Sequence, residues 1–272
     1  MNGCLYIVAT PIGHLSDLSQ RAIETLRSVD AILAEDTRQS SVLLRAHGIA
    51  TRCESLHEHN ETALAARLVE RLQAGARLAL ISDAGTPLIS DPGYRLVAAA
   101  RAAGVTVSPI PGACALVAAL SASGLPTDRF CFEGFLPTKT GERRAALQAL
   151  KSEPRTMVFY ESPHRLKETL EDAAAIFGDQ REAALARELT KRFETILTLP
   201  LAALAQRVAQ DADQQRGECV LVVSGAREST SDALALGQRL YAELSKELPP
   251  SRAAKVAAQI AGVAKRDLYG AS

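Results

Sequence analysis

Short apolar runs alternate with amphipathic segments along the first 122 residues. The runs CLYIVA, AILA, ARLALIS and VTVSPI predict β-strands, because apolar and β-favouring residues are continuous in them. The segments between them repeat apolar residues at helical spacing. Ser19 or Asp17 is expected to cap the first helix, and Asn60 a later one. This alternation predicts parallel strands joined by helical crossovers.

The pattern changes after the linker-like stretch SGLPTDRF. The runs RFCFEGF, RTMVFYES, EAALARE, FETILTL and GECVLVVSG predict strands, and some of them follow one another without a helix, which predicts a mixed sheet. One helix is expected to begin at Pro163 with Ser162 as its cap. The chain then ends in amphipathic segments broken at Gly262. We therefore predict an α/β protein with α/β domains at residues 1–122 and 123–228 and a helical appendage at 229–272.

Composition narrows the classes of function. The 31 basic and 31 acidic residues give a net charge of zero, which leaves room only for local basic patches. The five cysteines lack CxxC spacing, so we expect no metal or disulfide framework. No apolar run approaches the roughly 18 residues of a membrane span, and the N-terminus does not resemble a signal peptide. We expect a cytoplasmic protein without a membrane partner.

Three of the predicted strands end in loops that are rich in glycine and proline. These loops are TPIG, DAGTPLISDPG and PIPGA. Because ligands of open α/β sheets bind at the carboxyl ends of the strands, we expect the three loops to converge on one crevice. Neither a GxGxxG fingerprint nor a GxxxxGK[ST] phosphate loop is present. A nucleoside-like ligand without phosphates suits such loops better than ATP or a dinucleotide.

Polar residues follow several of the predicted strands. In AEDTRQSSVLL, Thr37 or Ser40 can cap the next helix, and this interpretation leaves Asp36 and Arg38 for substrate handling. In LHEHNE, helix-capping polar residues and a substrate-facing role for His57 or His59 remain open alternatives. The same choice between a solvated turn and a functional surface applies to FYESPHRL, RELTKRFE and LPTKTGERR.

Taken together, these motifs resemble a known family. LYIVATPIGHLSDLSQRA, AEDTRQSSVLL, LHEHNE, ISDAGTPLISDPGYRLV, SGLPTDRFCFEGFLPTK, FYESPHRL and ELTKRFE resemble the tetrapyrrole methylase superfamily, in particular its bacterial methyltransferases of the small ribosomal subunit. The resemblance runs from Leu5 to about residue 225. The first loop departs from the family pattern TPIGNL, because His14 stands in the place of asparagine.

The resemblance implies a two-domain, homodimeric enzyme that binds S-adenosylmethionine between its α/β domains. It implies 2′-O-ribose methylation of a cytidine in 16S ribosomal RNA of the small subunit. The cofactor-binding residues that it implies are Pro11, Gly85, Thr86, Pro87, Ile89, Ser90, Ala113, Ala115, Leu116, Tyr160 and Leu189.

Methyl transfer to a ribose hydroxyl needs a group that positions or deprotonates a weak nucleophile. The candidates, none assigned as the base, are Asp36, Arg38, His57, Glu58 and Asp83. The candidates for contacts with RNA phosphates are Arg38, Lys139, Arg143, Arg144, Arg165 and Lys191. Two other functions remain open: a tetrapyrrole C-methyltransferase of the same superfamily, and a non-enzymatic RNA-binding assembly factor.

Overall fold

The computed structural model describes residues 3–226 and 230–268. These residues divide into two compact units, one formed by residues up to 151 together with 155–224, the other by 152–154 and the residues from 225 onward. The predicted α/β fold with a C-terminal helical appendage is confirmed. The predicted boundary after residue 122 stays a prediction, and the one between residues 228 and 229 lies outside the described residues.

The first sheet is parallel throughout, as predicted, and its strand order is β3-β2-β4-β1-β5. Its strands are β1 (Cys4–Val8), β2 (Ala31–Ala34), β3 (Cys53–Ser55), β4 (Arg77–Ile81) and β5 (Thr106–Ile110). Its helices are α1 (Gln20–Ser28), α2 (Thr37–Ala46), α3 (Glu58–Gln73), α4 (Tyr94–Ala102) and α5 (Ala115–Ala122). The sequence patterns did not predict β3, because this edge strand has three residues and none of them is fully buried.

The second sheet is mixed, also as predicted, with the order β6-β7-β10-β8-β9. Its strands are β6 (Phe130–Phe135), β7 (Thr156–Glu161), β8 (Glu182–Arg187), β9 (Thr195–Pro200) and β10 (Cys219–Val223). Its helices are α6 (Thr140–Ala149), α7 (Leu166–Phe177) and α8 (Leu201–Gln210). Strand β6 pairs with β7 in parallel, whereas β10 runs antiparallel to both β7 and β8.

The helix starts follow the predictions only in part. Ser19 caps α1 as expected, since its hydroxyl accepts a hydrogen bond from the Ala22 amide. Helix α3 begins earlier than expected: Asn60 lies in its first turn, and its side-chain oxygen accepts a hydrogen bond from the His57 amide at 2.9 Å.

Helix α7 begins later than expected. Pro163 lies in a turn that precedes α7, whose N-cap is Arg165, so the prediction of Ser162 as the cap was wrong.

The second compact unit is helical. It contains α9 (Thr230–Leu244), α10 (Pro250–Ala261) and a 3-10 helix (Lys265–Leu268). Two further 3-10 helices, Leu15–Asp17 and Ala212–Gln215, lie in the first unit. Helix α10 ends at Gly262, which adopts the left-handed conformation with φ 67°, as the predicted break requires. None of the helices formed by the described residues combines the length and apolarity needed to cross a membrane.

The connections of the first sheet create a crevice between its central strands. The chain leaves β1 toward β2 on one side, whereas it leaves β4 toward β5 on the other side. Right-handed crossovers that run in opposite directions lie on opposite faces of the sheet, so the carboxyl ends of the adjacent strands β1 and β4 flank a crevice. The loops after β1 and β4 therefore flank the position where a ligand is expected.

Candidate functional site

Hydrogen bonds join the three glycine- and proline-rich loops, as the sequence predicts. The Thr10 amide donates to the Gly85 carbonyl at 2.8 Å, and the Gly85 amide donates back to the Thr10 carbonyl at 3.1 Å. The Thr86 hydroxyl donates to the Ala113 carbonyl at 3.0 Å, which ties in the third loop. Gly85 adopts φ 85°, a conformation that a side chain disfavours.

These loops and the strand ends of the second sheet enclose a cavity of about 360 Å³. A volume of this size lies within the range of small-molecule sites. The residues that line it are Ile12, Gln39, Asp83, Ala84, Gly85, Thr86, Ile89, Ser90, Asp91, Ala115, Phe135, Tyr160, Glu161, Ser162, Pro163, Ala186, Leu189, Gly217, Glu218, Cys219 and Val220. Its lining is mostly apolar and includes four carboxylates, those of Asp83, Asp91, Glu161 and Glu218.

Backbone strain is concentrated in two loops of this cavity. In the described part of the chain, non-glycine residues adopt a positive φ at Leu88, Ser90, Glu188 and Thr190. Such conformations each cost of order 1 kcal/mol or more and persist where the surroundings enforce them, often at functional sites. The loop of residues 188–190 also contacts the first loop, since the His14 amide donates to the Thr190 hydroxyl at 3.0 Å.

Neutral partners hold two of the cavity carboxylates. The Asp36 amide donates to Oδ1 of Asp83 at 3.2 Å, and burial, followed by repulsion from Asp36, raises the pKa of Asp83. Burial, followed by repulsion from Glu35, raises the pKa of Asp91 to about 6, against a smaller opposing effect of the Ser82 hydroxyl. The pKa of Glu35 itself is raised, first by burial and then by Asp83. These groups therefore form an acidic rim that is easily protonated.

The other two cavity carboxylates are paired with cations. Glu161 is fully buried and accepts hydrogen bonds from Arg165 and from the Thr169 hydroxyl. Lys191 bridges Glu218 and Glu188 at 2.8 and 2.9 Å. These two carboxylates therefore differ from Asp83 and Asp91 in that each forms an ion pair.

An aromatic group forms one wall of the cavity. The Tyr160 hydroxyl accepts a hydrogen bond from the Leu116 amide at 3.3 Å, and burial raises the pKa of Tyr160. The rings of Phe132 and Phe135 meet the Tyr160 ring edge-to-face, with centroids 4.8 and 5.6 Å apart. Cys219 lies nearby, and burial raises the pKa of its thiol to about 12, so this thiol is protonated and unreactive at neutral pH.

Of the candidates for handling the hydroxyl, Asp83 lines the cavity. Asp36 is the N-cap of α2: its carboxylate accepts hydrogen bonds from the Arg38 and Gln39 amides, so the prediction that Thr37 or Ser40 caps this helix was wrong. The Arg38 side chain is 91% exposed and pairs with Asp36 at 3.1 Å. This hydrogen bond is the main reason why the pKa of Asp36 is lowered.

His57 and Glu58 begin α3 outside the cavity lining, close enough to influence the pKa of Glu35. They therefore stand beside the acidic rim.

The candidate RNA-binding residues are placed very differently from one another. Lys139 and Arg144 are exposed, and Lys139 pairs with Glu142. Arg143, by contrast, does not have the exposure expected of a residue that contacts RNA phosphates. Its side chain is 2% exposed, and its Nε donates a hydrogen bond to Asp172 at 2.8 Å. This burial removes Arg143 from any RNA-facing surface of the described structure. Arg165 and Lys191 are committed to the cavity carboxylates that they pair with.

The predicted cofactor residues divide into two groups. Those that line the cavity are Gly85, Thr86, Ile89, Ser90, Ala115, Tyr160 and Leu189. Those that are not among the lining residues are Pro11, Pro87, Ala113 and Leu116. The sequence reasoning missed Asp91 and Ile12, although both belong to motifs that it singled out. It also missed Gly217 and Glu218, because nothing in the sequence indicates that β10 brings its amino end to the cavity.

In the part of the chain that the structure describes, no three His, Cys, Asp or Glu side chains are grouped so that they could hold a metal ion.

Comparison with known proteins agrees with this architecture. The family described as Tetrapyrrole (Corrin/Porphyrin) Methylases matches residues 4–205, and the RsmI C-terminal HTH domain matches residues 231–271. A uroporphyrin-III C-methyl transferase from Thermus thermophilus, solved with S-adenyl homocysteine, has a TM-score of 0.57 at 17% identity, covering 82% of this chain and 97% of its own. This likeness shows the fold.

Two curated relatives are similar over nearly their whole length. Ribosomal RNA small subunit methyltransferase I of Xylella fastidiosa (strain Temecula1) is 56% identical, with 98% of both chains covered. The protein of the same name from Pseudomonas aeruginosa is 55% identical, with 98% of this chain and 95% of its own covered. The chain therefore belongs to the tetrapyrrole methylase family and, within it, to the family of ribosomal RNA small subunit methyltransferase I.

Proposed function

We propose that this chain is an S-adenosylmethionine-dependent methyltransferase of small-subunit ribosomal RNA, and that it methylates the ribose 2′-hydroxyl of a cytidine in 16S RNA. Relatives at 55–56% identity are named ribosomal RNA small subunit methyltransferase I. The single observation that carries the proposal is the cavity at the switch point of the first sheet, where glycine- and proline-rich loops meet mostly apolar walls and the carboxylates of Asp83 and Asp91.

The cavity fits the proposed cofactor. Seven of the residues that the resemblance implies for cofactor binding line it, and an apolar cavity with a few polar groups is what a nucleoside with a short side chain requires. Carboxylates at the rim are suited to a ligand that carries positive charge. When bound, S-adenosylmethionine supplies an electrophilic methyl group that an oxygen nucleophile displaces in line.

The chain's own residues would prepare that nucleophile. A ribose hydroxyl must lose its proton as the new O–C bond forms, and a carboxylate within reach of the cavity is suited to accept it. Asp83 and Asp91 line the cavity, are hydrogen-bonded to uncharged groups and have pKa values raised chiefly by burial, whereas Glu161 and Glu218 are ion-paired with Arg165 and Lys191. We assign the proton acceptor to this pair, with Asp83 on the side of Asp36.

Asp36, Arg38, His57 and Glu58 then remain candidates for positioning the RNA. The Arg38 guanidinium is exposed beside the rim, where it can meet a phosphate. If Asp36→Asn and Arg38→Ala enzymes that still bind the cofactor methylate intact subunits at near-normal rates, neither residue belongs to the mechanism.

The proposed substrate is the assembled small subunit, and the location is accordingly the cytoplasm. The net charge is zero, so binding to naked RNA is expected to be weak and to have a shallow salt dependence. We also propose a homodimer, for which the exposed apolar side chains Tyr94 and Val117 offer contact surface. Sedimentation of the purified chain tests the dimer independently of activity.

Incubation with labelled S-adenosylmethionine tests the function. We expect label in 16S RNA when the substrate is small subunits from a strain that lacks this enzyme, and mass mapping is expected to place it on a cytidine ribose. A tetrapyrrole offered in parallel should remain unlabelled. Label in the tetrapyrrole alone, or equal rates on subunits and on a short oligonucleotide, would contradict the proposal.

A further inference from the structure

Phe135 is an aromatic side chain that the fold leaves exposed inside the functional cavity. It is the last residue of β6, it lines the cavity, and 56% of its surface is exposed. Its ring meets the Tyr160 ring edge-to-face, with the centroids 5.6 Å apart. A half-exposed phenylalanine forfeits much of the free energy of burial, so its position calls for a reason.

A β-bulge directs Phe135 into the cavity. Phe132 pairs with Val158 and Phe135 pairs with Tyr160, so three residues of β6 span two residues of β7. Because side chains alternate along a strand, a regular β6 would turn residue 135 to the opposite face. The extra residue restores Phe135 to the face of Phe132 and Tyr160, where the cavity lies.

The backbone of the bulge is specialised for this task. Gly134 adopts φ 66°, the left-handed conformation that favours glycine in such bulges. The position of a Cβ on Gly134 would lie 3.9 Å from the Ser90 hydroxyl oxygen, so the end of β6 approaches the strained loop of the cofactor cavity. A register shift and a left-handed glycine thus serve to aim one exposed ring at the cavity.

We propose that Phe135 is a stacking platform for the base of the nucleotide that is methylated. This inference rests on the proposed function. An enzyme that acts on one nucleotide of a structured RNA must draw that nucleotide out of its stack, and proteins hold such unstacked bases on aromatic side chains. A phenylalanine ring has no hydrogen-bonding group, so it would hold and orient the base without identifying it.

The experiment measures methylation of small subunits from a strain that lacks the enzyme, with labelled S-adenosylmethionine, for F135A, F135L and F135Y. The matched control is F130A, because Phe130 is also on β6 and 41% exposed but lies outside the cavity lining. Loss of the ring in F135A and F135L should lower kcat/KM about tenfold, whereas F135Y should stay within about threefold of the wild type. F130A should match the wild type.

The Phe135 ring could stack either with the RNA base or with the adenine of the cofactor. Calorimetry with S-adenosylhomocysteine distinguishes these two ligands. If Phe135 holds the RNA base, all four variants bind this ligand as tightly as the wild type does. The proposal is overturned if F135L matches the wild type in kcat/KM, or if F135A loses affinity for S-adenosylhomocysteine as strongly as it loses kcat/KM. Failure of the wild-type chain to label any small-subunit RNA would instead remove the proposed function.

Discussion

Substitution of the buried Arg143 separates a structural role from a role in RNA binding. Its guanidinium donates from Nε to Asp172 at 2.8 Å and lies 3.4 Å from Glu168, and its side chain is 2% exposed. An Arg143→Ala variant would remove the main partner of the Asp172 carboxylate and leave its charge nearly buried. Removing one partner of a buried pair costs about 3–5 kcal/mol. The exposed Glu168 adds less than about 1 kcal/mol.

This cost should lower the urea midpoint of unfolding by roughly 1 M or more, given a slope of about 3 kcal/mol per molar for a chain of this size. The matched control is Arg144→Ala, because Arg144 is the next residue on α6, is 56% exposed and lies 3.8 Å from Asp172. Its unfolding free energy should change by less than about 1 kcal/mol.

Combining Arg143→Met with Asp172→Leu should recover most of the lost stability, because an apolar pair removes the uncompensated charge. An Arg143→Ala enzyme with an unchanged midpoint and a lowered kcat/KM on small subunits would refute the structural role.

Two further predictions concern the cavity. Gly13→Ala would place a Cβ 2.6 Å from both Cγ of Lys191 and the Thr190 hydroxyl oxygen. This variant should lower the free energy of unfolding by about 1–3 kcal/mol and weaken binding of S-adenosylhomocysteine in calorimetry. The control is Gly141→Ala, which should leave this affinity unchanged because no atom lies within 4 Å of the added Cβ. The pKa of Asp91 is raised from 3.8 to about 6, so the stability that its protonation provides is complete below pH 3.8 and is lost as pH rises through about 6. As pH rises from about 4.5 to about 8, the free energy of unfolding of the Asp91→Asn variant in urea should therefore increase by on the order of 1 kcal/mol relative to that of the wild type, after allowance for partial exposure. A difference between the two proteins that does not change with pH would contradict the raised pKa of Asp91.

The loops of the first sheet were predictable because the carboxyl ends of parallel strands meet at one edge. Thr10, Gly85 and Ala113 are far apart in the sequence, yet each follows such a strand, and hydrogen bonds join their loops. The contribution of the second sheet was not predictable in this way. Its strands run in both directions, so Gly217 reaches the cavity from the amino end of β10 and Tyr160 from the carboxyl end of β7.

In the structure, some residues also have roles or positions that the sequence pattern did not predict. Arg143 and Arg144 are identical in type, but adjacent positions on a helix differ by about 100° in direction, and only one of them meets the buried Asp172. Asp36 is a helix cap because α2 begins one residue after it, and helix boundaries are the least certain feature of a sequence pattern. Phe135 faces the cavity because of a register shift that strand alternation does not predict.

The reciprocal hydrogen bonds between Thr10 and Gly85 have a consequence for turnover. They tie together two loops that line the cavity, where the proposed cofactor would be exchanged between its methylated form and its spent form. The two forms differ by one methyl group and one positive charge. Under the proposed function, the carboxylates of Asp83 and Asp91 attract the cationic cofactor more strongly than its neutral product, so the loss of charge on methyl transfer favours exchange of the ligand.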